Sequence, residues 1–316
     1  MKKLLLVVAL FFATSMLFAQ AVENCIEPPQ QVECDGCSIN QIPTGDRGAL
    51  INTSYVDQDE LRNLAVVDQF GWGNYSYVKQ LGDENVAHVT QTGRFNHSIV
   101  DQYGRENEGT VVQDGTKNFA KQLVGADGYA YKNEASVYQN GEWNTSFQFQ
   151  DGKYNDAFVD QDGNNNYAMQ DQNSGNSRFT YNYADIYQKG HENAAEQIQL
   201  GSYNTAYSTQ LGNGNTSVSN QEAVLDGWNY SEIDQNGNGN MACVDQKTVD
   251  YESIWVFSFN ADFNMSYVTQ NGNSNFTNVN QDALFGSNWS DVNQQGNSNK
   301  ACVTQVGTEA MMRNPF

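Results

Sequence analysis

The sequence predicts an all-β protein, a two-sheet β-solenoid of about ten 22-residue strand-turn-strand rungs with cross-β packing. Three observations carry this prediction. One eleven-residue unit recurs from residue 52 to residue 305, its shared positions alternate with a period of two, and glycine and asparagine crowd the junctions between units. Alternation with a period of two places the shared positions on one face of a strand, and glycine and asparagine favour turns.

Residues 1–19 have the organisation of a secretory signal peptide. Two lysines precede an apolar run from Leu4 to Phe18, and the small residues that follow allow cleavage after Ala19 or after Ala21. No other stretch approaches the roughly 18 to 20 apolar residues that a membrane span needs. We therefore expect an exported chain without a membrane span.

Residues 20–51 form a separate N-terminal segment that contains three of the five cysteines and three of the four prolines. An odd number of cysteines cannot pair completely within one chain. Cys34 and Cys37 have a CxxC spacing, but no second pair and no histidine follows at the spacing of metal ligands. We therefore favour a local disulfide over a metal or redox site. The segment is also long enough to cover the first rung, so it serves either as a cap or in secretion.

The repeat unit reads Asn-x-(Ala/Ser)-x-(Val/Ile/Gln)-x-Gln-x-Gly-x-x and begins 21 times between Asn52 and Asn299. A period of eleven residues also fits a right-handed helical coil. Shared positions at offsets 0, 2, 4 and 6 instead favour a strand of about seven residues and a turn of about four. Only the unit at Asn118 lacks its closing glutamine and has Val124 there.

The insertions in the repeat show how many strands make one coil. Five junctions are longer than the others, at 123–132, 173–181, 222–228, 247–263 and 282–287, and all five follow an odd-numbered unit. Two strands per coil would place all of them on one edge. The ten even-to-odd junctions all keep the form Gln-x-Gly-x-x-Asn, which predicts a strict edge. Its turn glycines are Gly71, Gly93, Gly115, Gly141, Gly163, Gly190, Gly212, Gly237, Gly272 and Gly296.

Composition fits a solenoid whose interior contains many amides. The 316 residues include 40 Asn and 29 Gln, with 39% hydrophobic residues and a net charge of −21. A buried amide costs free energy unless it is paired, but identical amides one rung above and below can donate and accept along a column. The strong acidity excludes nucleic acid as a partner because little positive charge remains to neutralise phosphates. His88, His97 and His191 do not converge with a nucleophile and an acid, so we expect no enzyme, no cofactor and no metal.

The register Gln-x-Gly-x-x-Asn-x-Ala-x-x-x-Gln resembles the curlin repeat, the strand-turn-strand unit of curli fibre subunits. The resemblance covers residues 52–305, the predicted solenoid domain, which a C-terminal tail follows at 306–316. It implies a secreted structural subunit that self-assembles into extracellular amyloid fibres at the cell surface, of the pilus type, for biofilm matrix and cell adhesion. The implied partners are further copies of the chain, a nucleator subunit and an outer-membrane secretion pore.

In that family the amide and serine positions of the terminal repeats drive nucleation. The matching positions are Asn52, Ser54, Gln58, Asn63 and Gln69 at one end, and Asn288, Ser290, Gln294, Asn299 and Gln305 at the other. Open terminal rungs recruit further strands unless they are capped, so we expect head-to-tail stacking. A non-fibrillar β-solenoid cell-surface adhesin or binding protein is the alternative, with residues 20–51 as the cap. The insertion at 247–263 is either a binding loop or packs on the solenoid edge.

Overall fold

The computed structural model describes residues 51–126, 130–175, 180–224, 227–249, 262–283 and 286–307. The described residues form 21 β-strands and no helix. The predicted signal peptide, the Cys34 and Cys37 pair, most of the insertion at 247–263 and the tail beyond residue 307 lie outside them. In chain order the strands are β1 (Thr53–Asp59), β2 (Leu64–Trp72), β3 (Tyr75–Leu81), β4 (Val86–Arg94), β5 (His97–Tyr103), β6 (Glu108–Thr116), β7 (Phe119–Val124), β8 (Glu134–Glu142), β9 (Thr145–Asp151), β10 (Asn155–Asn164), β11 (Tyr167–Asn173), β12 (Asn182–His191), β13 (Ala194–Gly201), β14 (Asn204–Asn213), β15 (Thr216–Val224), β16 (Trp228–Asn238), β17 (Met241–Val249), β18 (Phe263–Asn271), β19 (Phe276–Ala283), β20 (Asn288–Gln295) and β21 (Lys300–Gly307).

The strands form two parallel sheets, one from the odd-numbered and one from the even-numbered strands. The odd sheet has eleven strands and the even sheet has ten, and each strand pairs with the strands two before and two after it. Equivalent repeat positions lie side by side, as with Asn155 beside Asn182 and Gln161 beside Gln188. The prediction of a two-sheet β-solenoid with two strands per coil is therefore confirmed, and the insertions lie at odd-to-even junctions.

The turns on the strict edge depend on glycine for two reasons. Their ten glycines have φ between 100° and 132°, a region in which side chains are strained. A Cβ at Gly163 would also overlap the backbone carbonyl oxygen of Gly190 in the next rung. The same overlap recurs along the column as far as Gly272, whereas Gly296 in the last turn has no such neighbour among the described residues. This edge cannot accept a side chain or an added residue without separating two rungs.

A second left-handed residue precedes most of the strand-opening asparagines. At this position Trp143 has a φ of 60° and Asn165 a φ of 56°. These values lie in the left-handed α region, which residues with a Cβ can enter at modest cost. The repeat therefore tolerates many residue types here, although each strict-edge turn contains two residues of positive φ.

The aliphatic core is a narrow band between the two sheets. One cluster extends from Val78 to Ala195 and a second contains Ile233, Val244 and Val279, all fully buried or nearly so. Small residues at the preceding inward position, such as Ala157, let the sheets approach closely. Because this band is thin, hydrogen-bonded amides fill the remaining interior on both sides of it.

Candidate functional site

Glutamine ladders run through both sheets at offset 6 of the repeat. The Nε2 of Gln139 donates to the Oε1 of Gln161 at 2.9 Å, and Gln161 donates in the same way to Gln188 at 2.8 Å. Gln161 also donates to the backbone carbonyl of Thr145 in the facing sheet at 3.1 Å. Each buried amide thus uses one N–H to hold the next rung and the other to hold the opposite sheet.

The ladder of the odd sheet is interrupted at Val124 in β7. Gln102 in β5 finds no ladder acceptor there and donates to the backbone carbonyls of Val86 at 2.9 Å and of Asn107 at 3.3 Å. The Oε1 of Gln150 in β9 is buried without a hydrogen-bond donor. A second buried ladder lies one inward position earlier and consists of Gln122, Gln148, Gln170 and Gln197.

The strand-opening asparagines form columns whose hydrogen bonds run in the opposite direction. Asn166 donates its backbone N–H and its Nδ2 to the Oδ1 of Asn144, one rung earlier, each at 3.1 Å. Its Nδ2 also donates to the carbonyl of Gly190 in the turn of the next rung at 2.9 Å. Glutamine donors therefore face the C-terminal end of the solenoid and asparagine donors face the N-terminal end, which makes the stack chemically polar.

Strands β1 and β2 contain the N-terminal ends of the glutamine ladders. Gln58 and Gln69 donate to Gln80 and Gln91 of the next rung at 2.5 and 2.8 Å. Among the described residues no donor reaches the Oε1 of Gln58 or of Gln69. All of β1 is exposed, so this end offers two accessible amide acceptors.

The strand-opening asparagines at the same end have their Oδ1 acceptors occupied, but their donors have no asparagine partner among the described residues. The Oδ1 atoms of Asn52 and Asn63 accept from the backbone N–H groups of Asn74 and Asn85 at 3.1 and 3.0 Å. Nothing in the described part of the chain precedes Asn52 or Asn63 in these columns, so no asparagine Oδ1 accepts from their backbone N–H groups. Ser54 lies between Asn52 and Gln58 on the same inward face of β1 and is exposed.

The C-terminal end carries the opposite set of groups. Gln294 and Gln305 each accept from the glutamine of the preceding rung. Their Nε2 atoms donate to the backbone carbonyls of Phe276 and Trp289 at 2.9 and 2.8 Å, and no described ladder acceptor follows. One N–H of each terminal glutamine is thus available to a further rung.

The strand-opening asparagines of the last two strands supply the acceptors at this end. Asn288 and Asn299 donate to Asn264 and Asn275 at 2.9 and 3.0 Å, and no described donor reaches their own Oδ1 atoms. Ser290 donates to the hydroxyl of Ser266 at 3.2 Å. The C-terminal end therefore offers glutamine donors and asparagine acceptors, which match the glutamine acceptors and asparagine donors of the N-terminal end.

The two ends are also stepped, because the odd sheet has one strand more than the even sheet. The inward side chains of β20 are buried, whereas those of β21 are half-buried. Within the described residues, β21 has no strand beyond it and no later partner in the even sheet. The odd number of repeat units is the sequence signal for this step, which the sequence-based predictions did not include.

The outward faces carry aromatic stacks and partly buried carboxylates. On the even sheet a column of rings 5.3 to 5.9 Å apart consists of Tyr183, Tyr207, Tyr230 and Tyr267. Asp156 lies beside Glu134 in the register of β8 and β10. Burial and then the negative charge of Glu134 raise the pKa of Asp156 to about 6. The outward acids therefore weaken the folded stack when they are ionised.

The remaining reactive side chains do not form a further site in the described part of the chain. No group of three His, Cys, Asp or Glu residues there is placed to hold a metal ion. His97 makes edge-to-face contacts with Tyr75 and Phe119, and burial lowers its pKa. Cys302 is an exposed free thiol, whereas Cys243 is disulfide-bonded.

In the described part of the chain there is no helix with the length and apolar character needed to cross a membrane.

Comparison with protein families assigns the repeat. The curlin associated repeat matches residues 62–93, 78–104 and 132–163. The chain therefore contains curlin associated repeats. The matched segments span strands β2 to β5 and β8 to β10, with the strict-edge turns between them. Curlin-repeat proteins are structural, and the fold expected from the resemblance is the fold of this chain. The search of curated proteins finds no match.

Proposed function

We propose that this curlin-repeat protein is a secreted structural subunit that self-assembles head-to-tail into extracellular curli-type fibres. The fibres serve the biofilm matrix and adhesion to surfaces. The observation that carries the proposal is the match between the two ends of the solenoid, where each open donor column at one end has an open acceptor column at the other.

Backbone groups support the same assembly. The outer edges of β1 and β21 have no neighbouring strand among the described residues, and such edges bind further strands through N–H and C=O groups. A parallel, in-register strand from a second copy extends the sheet and the amide ladders together. Because the contact joins unlike ends, it does not close on itself and produces an open filament.

Further partners follow from the family and not from the geometry. We propose that a nucleator subunit starts the fibre and that the unfolded chain leaves through an outer-membrane pore, as for curli subunits. The net charge of −21 keeps the chain soluble before assembly. Nucleation at the terminal rungs through Asn52, Ser54, Asn63 and their C-terminal equivalents remains part of this proposal.

The test starts from the chain without residues 1–19, diluted from denaturant. Amyloid-dye fluorescence, electron microscopy and fibre diffraction should show seedable fibres with spacings of ~4.7 and ~10 Å. A stable folded monomer would contradict the proposal and favour the non-fibrillar adhesin.

A pair of variants tests the end groups. Gln294→Glu combined with Gln305→Glu removes both open glutamine donors and adds charge, so fibre elongation from wild-type seeds should be lost. The control is Gln295→Glu, the same change at an exposed outward position of β20, which should elongate normally. Equal elongation by the double variant and the control would exclude the terminal amides as the joining surface.

A further inference from the structure

The described residues form an odd number of strands, which constrains how two copies can join, given the head-to-tail assembly proposed above. Simple translation of the next copy along the stack would place its β1 on β21 in the odd sheet. Its β2 would then lie two layers beyond β20, because the even sheet has only ten strands. One strand would be missing from the even sheet at every junction, and the edges on both sides of the gap would lack hydrogen-bond partners.

A half-turn of the next copy about the stack axis removes this gap. The odd and even strands run in opposite directions on the two sides of the solenoid, so a half-turn exchanges the two sheets and keeps their strand directions parallel. The next β1 then pairs with β20 in the even sheet, and the next β2 pairs with β21 in the odd sheet. We infer that successive subunits are related by this half-turn, so that each sheet of the fibre alternates between odd and even strands from one subunit to the next.

The amide columns close without a break in this arrangement. Gln294 donates to Gln58 of the next copy and Gln305 donates to Gln69. In the same register Asn52 and Asn63 of the next copy donate to Asn288 and Asn299. Without the half-turn Gln305 would meet Gln58, and Gln294 would face the gap with its N–H unused.

The outward side chains also favour the half-turn. At offset 7 of the repeat, Val306 of β21 lies beside Phe70 of the next β2, and these are exposed apolar side chains in the single subunit. Translation would place Val306 beside the carboxylate of Asp59. At offset 3, Cys302 lies beside Val66 after the half-turn and beside Tyr55 after translation. Apolar neighbours across adjacent strands stabilise a sheet, whereas an apolar side chain beside a carboxylate does not.

The free thiol of Cys302 allows a direct test. Neighbouring strands lie about 4.8 Å apart, within the Cα separation of a disulfide. Val66→Cys and Tyr55→Cys change side chains that are 37% and 53% exposed, so both should leave the subunit fold intact. Fibres of each variant are grown under reducing conditions, oxidised, and digested for identification of disulfide-linked peptides by mass spectrometry. Repeating the experiment with both variants in a Cys302→Ser background identifies disulfide links that involve other cysteines.

The half-turn predicts an intersubunit link between Cys302 and Cys at position 66, and its loss in the Cys302→Ser background. A link to position 55 instead would overturn the half-turn and leave the fibre proposal intact. Fibres with neither link would also overturn it. If Val66→Cys fails to form fibres, Phe70→Cys with Val306→Cys in the Cys302→Ser background probes the same junction. Failure of the wild-type chain to form fibres would refute the proposed function itself.

Discussion

The glycine column on the strict edge can be tested at Gly163, in the middle of the stack. Its φ is 132°, and a Cβ there would overlap the carbonyl oxygen of Gly190. Gly163→Ala therefore combines two costs, the strain of a positive φ and the separation of two turns. Gly286→Ala distinguishes the two costs, because it introduces only the first. Gly286 has a φ of 123°, but no described atom lies within 4 Å of the point where the added methyl carbon would be.

The size of the effect follows from the hydrogen bonds at the two turns. The positive φ costs about 1–2 kcal/mol for alanine. Moving the turns apart also disrupts the bond from Asn144 Nδ2 to the carbonyl of Gly163, at 2.8 Å, and the bond from Asn166 Nδ2 to the carbonyl of Gly190, at 2.9 Å. At about 1 kcal/mol for each hydrogen bond, Gly163→Ala should lose roughly 3–4 kcal/mol and Gly286→Ala about 1–2 kcal/mol.

The free energy of unfolding is measured by urea denaturation, followed by tryptophan fluorescence at a concentration below that of fibre formation. Gly214→Ala provides a mild reference, since its φ of 63° lies in the left-handed α region and no described atom is within 4 Å. The expected order of destabilisation is Gly163→Ala, then Gly286→Ala, then Gly214→Ala. Equal losses at Gly163 and Gly286 would show that contact between rungs does not explain the column.

Three further predictions concern the amides and the acids. Val124→Gln should stabilise the chain by about 1 kcal/mol in urea denaturation, because it gives the buried Oε1 of Gln150 a donor and replaces the 3.3 Å bond from Gln102 to the carbonyl of Asn107 with a ladder bond. The wild-type chain should become more stable as pH falls from about 6 towards 4, because the pKa of Asp156, about 6, exceeds its ordinary value of 3.8. After allowance for solvent screening this effect is about 1 kcal/mol, and Asp156→Asn should remove it. Gln294→Glu with Gln305→Glu should act as a chain terminator at the C-terminal ends of wild-type fibres, stopping seeded growth there at substoichiometric amounts because its N-terminal end still binds.

Each of these predictions has a matched control. Val124→Leu introduces a larger side chain at the same position without an amide. An equal gain in the free energy of unfolding from this variant would assign the stabilisation to packing. Asp114→Asn changes an exposed outward carboxylate of β6, so its pH profile should follow that of the wild type. If excess double variant, and not a small fraction of it, is needed to stop growth, the terminal glutamines do not act at the growing end.

The sequence predicts the strands well, because the repeat contains the information that fixes them. Inward Asn, Ala or Ser, Val and Gln alternate with variable outward residues, and the five insertions identify two strands per coil. The direction of the ladders could not be predicted, because an amide both donates and accepts and its orientation depends on neighbours in both sheets. The tyrosine column was also missed, because Tyr183 and Tyr207 occupy different repeat offsets and their rings meet diagonally across the sheet.

For the turn glycines, the sequence indicates the positions but not the physical cause of the constraint. Glycine occurs at position 163 and at every equivalent position of the strict edge. The sequence does not reveal that the constraint comes from the backbone carbonyl of the next rung. Nor does it explain why Trp143 is accepted two residues after Gly141. The φ values supply the reason, since Gly141 has a φ of 118° and Trp143 a φ of 60°.

The tolerant edge makes this chain a natural display scaffold. The junction between β11 and β12 already accepts additional residues while β10, β12 and the ladder from Gln161 to Gln188 keep their register. A peptide epitope or a small enzyme fused at this junction would therefore project from the stack without entering it. In the proposed fibre, with subunits roughly 50 Å long and the inferred half-turn between them, such cargo would appear on alternate sides at regular intervals.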